Sequence, residues 1–461
     1  MNLDQFHSVY FIGIGGIGMS ALARYFYASG KYVSGYDKTP TTLTDELIEE
    51  GIVINFEDTI EAISDKIIDI EEKDRVLIVY TPAVPKGNNQ LNHFLSNDYS
   101  VKKRSEVLGE ITRNSFTIAV AGTHGKTTTS SLLAHIFKNS GTDCQAFLGG
   151  ITINYNSNLI LSDRSSEHTV TIVEADEYDR SFLTLHPDIA IVTSMDADHL
   201  DIYGEAKFLE DSFNLFAGQV RDKGVIIYKE NLPLKTSLKT QNFKYSIKSA
   251  ADHYAHNIRI EEGCFVFDFK SSRSDINNIQ FNMPGRHNVE NAVAASAAAL
   301  FAGIKPEKIK AALESFKGVR RRFEYIIKSE KLVFIDDYAH HPEELKACIT
   351  AVKELYPNKR ITGVFQPHLY SRTRDFADGF AESLDLLDEC ILLDIYPARE
   401  VPIEGVSSNM LLQKMKNSNK KLIQKESLIQ ELKNMKPEVL LTLGAGDIDK
   451  LVQPIGKSLK G

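Results

Sequence analysis

The apolar residues of this chain fall into short β-prone runs, each followed by a glycine turn or a polar cluster. Residues 9–14 (VYFIGI) form the first run, and "GGIGMSALARYFYASG" then places apolar side chains at helical spacing as far as Gly30. "YVSGYD" is a second strand ending in Asp37, and "RVLIVYTPAVP" runs into a proline turn. The alternation restarts at "FTIAVAG" and continues through "TVTIVEADEYD" and "PDIAIVTSMDADHLD". A β-rich, irregular stretch from 220 to about 280 precedes an Ala-rich helix, "HNVENAVAASAAALFAG", that ends at Gly303. A third series comprises "KLVFIDDYAHHP", "RITGVFQPHLYSRTRDF", "CILLDIYPARE" and "VLLTLGAGDI". Strands alternating with helices predict mostly parallel sheets covered by helices. The expected fold is therefore α/β with three domains. Residues 1–106 are N-terminal and Rossmann-like, 107–317 are a central P-loop ATPase-like α/β domain, and 318–461 are C-terminal and Rossmann-like.

Composition narrows the function class. The 461 residues suit three domains at roughly 100–200 residues each. Hydrophobic content of 43% and charged content of 25% are those of a globular protein. No run approaches the ~18 apolar residues of a membrane span, and the N-terminus lacks a signal peptide, so a cytoplasmic protein without membrane insertion is expected. Cys144, Cys264, Cys348 and Cys390 are widely spaced, which argues against a disulfide framework or a cysteine zinc site. A net charge of -9 argues against a nucleic-acid partner.

Two glycine turns carry the chemistry. Gly13, Gly15 and Gly18 follow a strand and open a helix, with Gly16 between them and Asp37 about 20 residues on, as in dinucleotide-binding loops. That spacing requires only a pyrophosphate at a helix N-terminus, so a dinucleotide and a nucleotide-sugar diphosphate remain equal candidates. The second turn is Gly122-Thr123-His124-Gly125-Lys126-Thr127-Thr128. It departs from a Walker loop in having Val120 at the early glycine position, yet it keeps backbone N–H groups, a lysine and a hydroxyl for phosphate and Mg²⁺. Glu174, Asp176 and Asp179 follow the next buried strand, and Asp196, Asp198, His199 and Asp201 the one after. They supply candidate oxygen and imidazole ligands for magnesium, with Glu174 preferred because it comes straight off its strand.

Taken in order, "GIGGIGMSALA", "AGTHGKTTTS", "EADEYDRSF", "DADHLD", "GRHNVENAVAA", "RRFE", "DDYAHHP", "QPHLYSRTRDF" and "LGAGDI" resemble the Mur ligases of peptidoglycan synthesis along nearly the whole chain. The resemblance implies a UDP-sugar in the first domain, held by Gly13, Gly15, Gly16, Gly18 and Asp37, and ATP in the second. It implies that Gly122, Thr123, His124, Gly125, Lys126, Thr127 and Thr128 hold the ATP phosphates, while His287, Asn288 and Asn291 lie towards the adenine. Thr127, Glu174 and His199 would bind Mg²⁺, and Arg322 would reach the phosphates. Tyr338, His340, Arg372 and Arg374 would surround the amino acid, with His340 a candidate base. Lys126, Glu174, His199, Arg322 and His340 are the implied catalytic set. The implied substrates are UDP-N-acetylmuramate and L-alanine, joined through an acyl phosphate, and a monomer or weak homodimer is expected.

Departures from the family pattern refine this expectation. Leu369 stands where relatives often carry Arg. The segment with Phe213, Asn214 and Phe216 lacks the lysine that sibling ligases carbamylate, and Lys207 is too early to replace it, which agrees with the alanine-adding branch. A ligase that recycles a preformed tripeptide, an NAD-dependent dehydrogenase and a nucleotide-sensing regulator are the competing readings.

Overall fold

The apolar runs become strands because their residues are buried on both faces, where continuous rather than alternating hydrophobicity is required. The computed structural model describes residues 2–68, 72–162, 169–196, 205–398 and 400–460. β1 (Ser8–Ile12), β2 (Tyr32–Tyr36), β3 (Val53–Asn55), β4 (Val76–Tyr80) and β5 (Ser100–Lys103) form a five-stranded parallel sheet ordered β3-β2-β1-β4-β5. Strand order reverses between β1 and β4, so the first glycine turn lies at the switch point where open α/β sheets hold ligands. The helix after it spans Ile17–Ala28, and Gly30, at φ +77°, closes its C-terminal turn.

The second sheet is ten-stranded, ordered β15-β14-β13-β12-β11-β10-β6-β9-β7-β8. Its strands are β6 (Phe116–Ala121), β7 (Cys144–Thr152), β8 (Ser157–Ile160), β9 (Val170–Glu174), β10 (Ile189–Val192), β11 (Val225–Lys229), β12 (Gln241–Ser246), β13 (His253–Glu261), β14 (Cys264–Ser271) and β15 (Ile276–Phe281). β6 lies between β9 and β10, parallel to both, so the turns after these three strands emerge at one edge. Val120 pairs with Ile191 and Glu174 inside this ladder, which explains its place in the phosphate-loop sequence. The strand has not yet ended there, and the turn starts two residues later. The third sheet is six-stranded, ordered β16-β17-β21-β18-β19-β20, with β16 (Glu324–Lys328) antiparallel to β17 (Val333–Asp337). β18 (Ile361–Phe365), β19 (Glu389–Leu392), β20 (Lys420–Leu422) and β21 (Val439–Leu443) complete it in parallel.

The chain divides into two compact units. One holds Met1–His256, Asp268–Asn277 and Glu290–Ser315; the other holds Asn257–Phe267, Asn278–Val289 and Phe316–Gly461. Within the first, the first sheet and the strands from β6 onward share one apolar core, which runs from Phe11, Leu22 and Phe26 through Phe147 and Leu159 to Phe182 and Phe213. Tyr25 meets Phe147 with ring centroids 5.4 Å apart. Within the second, two apolar clusters centre on Ile335, Phe365 and Leu441 and on Phe334, Val364 and Leu440. These are alternate residues of β17, β18 and β21, so they cover opposite faces of the third sheet.

Asn158 pins the first helix to β8. Its amide donates to the Ile17 carbonyl (2.6 Å) and to Ser20 Oγ (3.0 Å), and its carbonyl accepts from Arg24 Nη1 (2.6 Å), all with the side chain buried. Truncation strands these groups away from water. Asn158→Ala is expected to lower stability by about 2–3 kcal/mol in urea denaturation, and a loss below ~0.5 kcal/mol would contradict this account.

Candidate active site

The central phosphate turn is built by steric exclusion. Gly122 has φ +139° and Gly125 φ +81°, both costly for a residue with a Cβ. A Cβ on Gly122 would collide with Thr193 Oγ1, and one on Gly125 would sit 2.7 Å from Asn291 Oδ1. Residues just beyond β10 clamp the turn: Thr123 N–H donates to the Ser194 carbonyl (3.3 Å), His124 N–H to Ser194 Oγ (2.7 Å), and Thr193 Oγ1 to the His124 carbonyl. Asp196 N–H donates to Thr123 Oγ1 (3.1 Å). The helix Lys126–Ser140 then starts with no side-chain cap, leaving its first N–H groups for an anion. Thr128, in its first turn, is buried.

Lys126 folds back over this turn. Its ammonium donates to the Gly122 carbonyl (2.5 Å) and meets both carboxylate oxygens of Glu177 at 2.8 Å. Glu177 is fully buried and Lys126 nearly so. Burial disfavours the ammonium, but the carboxylates of Glu177, Asp176 and Glu174 outweigh it and hold Lys126 above the ordinary lysine value. Glu177 was passed over in the sequence reading, because an acidic run after a strand does not reveal which carboxylate turns inward. Here the turn decides it. Asp179 and Arg180 adopt left-handed φ of 52° and 55°, and Phe182 N–H donates to the Asp176 carbonyl (2.9 Å), which tucks 177 beneath the loop.

Glu174, at the end of β9, accepts from Thr127 Oγ1 (3.2 Å) and from Gly149 N–H (3.0 Å). A Cβ on Gly149 would overlap the carboxylate, so this glycine of β7 is a second residue the sequence reading missed. Its signal was only "LGG" inside a strand, where glycine marks a close approach. Thr127 and Glu174 are hard oxygen donors, and two protein oxygens leave room for phosphate and water around Mg²⁺. Among the described residues no three His, Cys, Asp or Glu side chains converge as a metal cage. Asp176 instead meets Arg104 (3.3 Å), and Asp179 meets Lys103 (3.3 Å). Asp198, His199 and Asp201 lie outside the described residues.

The first glycine turn is also closed by its own sequence. Gly13 has φ +87°, and its N–H and that of Ile14 donate to the Tyr36 carbonyl (2.8 and 3.0 Å). Asp37 Oδ2 accepts from Gly15 N–H (2.8 Å), so this carboxylate braces the turn. Gly16 and Gly18 open onto a cavity of about 270 Å³ whose other wall holds Gly149, Glu174 and Asp176, with Arg104 beside them. Glu174, which lines this cavity and accepts from Thr127 Oγ1, links it to the helix that follows the central turn.

In the second unit, Tyr338, His340 and Arg322 come together. Arg322 lies over the Tyr338 ring at 5.0 Å and 3.7 Å from Glu344. His340 Nδ1 is 3.0 Å from the Tyr338 carbonyl and 3.2 Å from Glu344 Oε2. His341 points elsewhere, accepting from Glu343 N–H (3.4 Å) and packing on Phe376. Arg372 is half-buried on the short helix Tyr370–Asp375, whereas Arg374 is exposed and pairs with Asp375 (2.7 Å). Two residues apart on a helix, the arginines face different directions. Leu369, at φ +70°, precedes them and donates its N–H to the Tyr396 carbonyl (3.0 Å). Asn291 belongs to the helix Arg286–Phe301, while Asn288 donates locally to the Pro284 carbonyl (2.6 Å) and His287 packs against Gly285.

The chain matches the family descriptions "Mur ligase family, catalytic domain" over residues 8–116, "Mur ligase middle domain" over 120–299 and "Mur ligase, glutamate ligase domain" over 321–446. It is 55% identical to the UDP-N-acetylmuramate–L-alanine ligase of Flavobacterium psychrophilum, over 100% of this chain and 99% of that one. Among solved structures it is similar to the UDP-N-acetylmuramate–alanine ligase of Thermotoga maritima, with TM-score 0.82, 24% identity, and coverage of 98% and 99% of the two chains. It also resembles a murein peptide ligase of Psychrobacter arcticus, with TM-score 0.72, 23% identity, and 98% of each chain covered.

Two predictions follow from the buried charges. Glu177→Ala leaves the Lys126 ammonium without its partner and is expected to cost about 3–5 kcal/mol in chemical denaturation, whereas pairing Glu177→Gln with Lys126→Met should cost far less. Equal losses in the two variants would show that the pair is not the source. Asp337, between the N–H groups of Phe323 and Ala339, is pushed up to about 6 by burial, which Arg322 only partly offsets. The fold therefore holds this proton more tightly than the unfolded chain. The stability gained is full below pH ~4 and is lost as pH rises through 6. From pH 4 to 7.5 the wild type should lose about 3 kcal/mol relative to Asp337→Asn, and parallel stability profiles would refute the assignment.

Proposed function

The chain belongs to the Mur ligase family, and from that premise we propose that it joins L-alanine to UDP-N-acetylmuramate at the expense of ATP, through an acyl phosphate. The observation that carries this reading is the cavity of about 270 Å³ bounded by the first glycine turn on one side and by Gly149 and Glu174 on the other. A UDP-sugar held at Gly13, Gly15, Gly16 and Gly18 can present its acid to a nucleotide phosphate held beside Glu174. The domain limits proposed are 1–106, 107–317 and 318–461, and a cytoplasmic monomer or weak homodimer is proposed with them.

The chemistry follows from charge. A carboxylate is a poor acyl donor because oxide is a poor leaving group; once phosphorylated, it can expel phosphate. Bringing the acid to the terminal phosphate sets two anions against each other. Lys126 offsets that repulsion, and the backbone N–H groups from Gly122 to Thr128 orient the phosphates. Thr127, Glu174 and, outside the described residues, His199 are the proposed Mg²⁺ ligands. Magnesium, when bound, would supply positive charge that offsets the phosphates. Asn291 is proposed at the adenine, with His287 and Asn288 on the same helix.

L-Alanine arrives as an ammonium and must lose a proton before its nitrogen attacks the acyl carbon. The proposed base is His340. Acceptors at Tyr338 O and Glu344 Oε2 favour the tautomer protonated on Nδ1, which places the lone pair on Nε2. Tyr338, Arg372 and Arg374 are proposed around the amino acid.

The test is phosphate release with each component withheld in turn. Release should require ATP, UDP-N-acetylmuramate and L-alanine together, and Lys126→Ala should slow it by about 100-fold or more. Turnover with the preformed tripeptide but not with L-alanine would instead make the chain a recycling ligase. Nicotinamide turnover independent of ATP would refute both.

A further inference from the structure

Among the described residues lining the cavity between the first glycine turn and Glu174, Arg104 is the one cation, and it stands among the carboxylates Glu174 and Asp176. It is the first residue of the helix Arg104–Arg113, immediately beyond the carboxyl end of β5, the edge at which open α/β sheets hold ligands. Its guanidinium lies across the first turn of the helix Ile17–Ala28. A Cβ on Gly18 would be 2.9 Å from Nη1 and 3.3 Å from Cζ, so Gly18 is the residue that lets the arginine lie there. The side chain is 16% exposed. Among the described residues it makes one hydrogen bond, from Nη2 to Asp176 Oδ2 at 3.3 Å, which leaves most of its five donors unspent.

We propose that Arg104 binds the carboxylate of the sugar acid and holds it towards the nucleotide phosphate. The proposal rests on the ligase reading above and deepens it by naming the group that selects an acidic sugar. Without Arg104 the walls named here would carry only negative charge, and an incoming carboxylate would be repelled by Glu174 and Asp176. A guanidinium presents two parallel N–H donors to a carboxylate, which fixes orientation as well as charge. Asp176 holds the side chain across the cavity at long hydrogen-bond distance, so the arginine is placed before the acid arrives and keeps donors for it. The sugar diphosphate is assigned to the N–H groups of the glycine turn, on the other side of Gly18.

Two sugars separate these anions. UDP-N-acetylmuramate carries diphosphate and acid; UDP-N-acetylglucosamine carries the same diphosphate and lacks the acid. With Arg104→Gln, affinity for UDP-N-acetylmuramate should fall about 10- to 100-fold while affinity for UDP-N-acetylglucosamine and ATP stays within about twofold. Arg104→Lys keeps the charge without the fork and should fall between wild type and Arg104→Gln. Equal losses on both sugars would overturn the proposal in favour of a diphosphate contact or a purely structural role, and unchanged affinity for the acid would overturn it outright. If Arg104→Gln loses ATP binding as well, its fold is disturbed and Arg104→Lys decides: its preference for the acidic sugar must drop or the proposal fails. Wild-type protein that binds neither sugar would instead overturn the ligase reading beneath it.

Discussion

A lysine at the first turn of a phosphate-binding helix faces a contradiction. It must be charged and close to the helix N-terminus, yet that region is walled by apolar strands. The buried Lys126–Glu177 pair resolves this. Glu177 neutralises the ammonium, the Gly122 carbonyl accepts a further N–H hydrogen bond, and the turn keeps its shape. Such a pair adds little net stability relative to an apolar substitute, and its value lies in keeping a charged group preorganised. The surrounding features follow from holding that lysine in place: glycines at 122 and 125, the clamp from Thr193 and Ser194, and the left-handed turn at Asp179 and Arg180.

The second constraint is the shared core of the first unit. The helix Ile17–Ala28 buries Met19, Leu22 and Phe26, and its neighbour Tyr25 packs on Phe147 of the second sheet. Asn158 adds a polar latch between the same elements. A ligand at the first turn therefore faces the second sheet rather than open solvent. The first glycine turn and the carboxyl end of β9, far apart in the chain, become walls of a single cavity, with Arg104 and Gly149 beside them.

Much of this was legible in advance. The strand runs, the change from continuous apolar runs to helical spacing, and the glycine turns at 13–18 and 122–125 are local features, set by burial and backbone sterics within a dozen residues. The Gly30 and Gly303 stops and the place of Glu174 at the end of its strand were legible for the same reason. Glu177, Gly149, Ser194 and Arg104 were not. Each matters through a partner 25 to 86 residues away in number, roughly the reach of one strand–helix–strand connection or more, and nothing in its own neighbourhood marks it.

The chain by itself determined which segments are strands, which turns can cradle phosphate, and the family to which it belongs. Those properties depend on residue type and spacing, which are written in order along the polymer. The tertiary structure decided which carboxylate faces Lys126, how Asp37 closes its own loop, and that the first glycine turn faces Gly149 and Glu174 across one cavity. These outcomes depend on strand order in the sheets and on which side chains are excluded from water together. That exclusion is a property of the packed volume, and linear sequence does not display it.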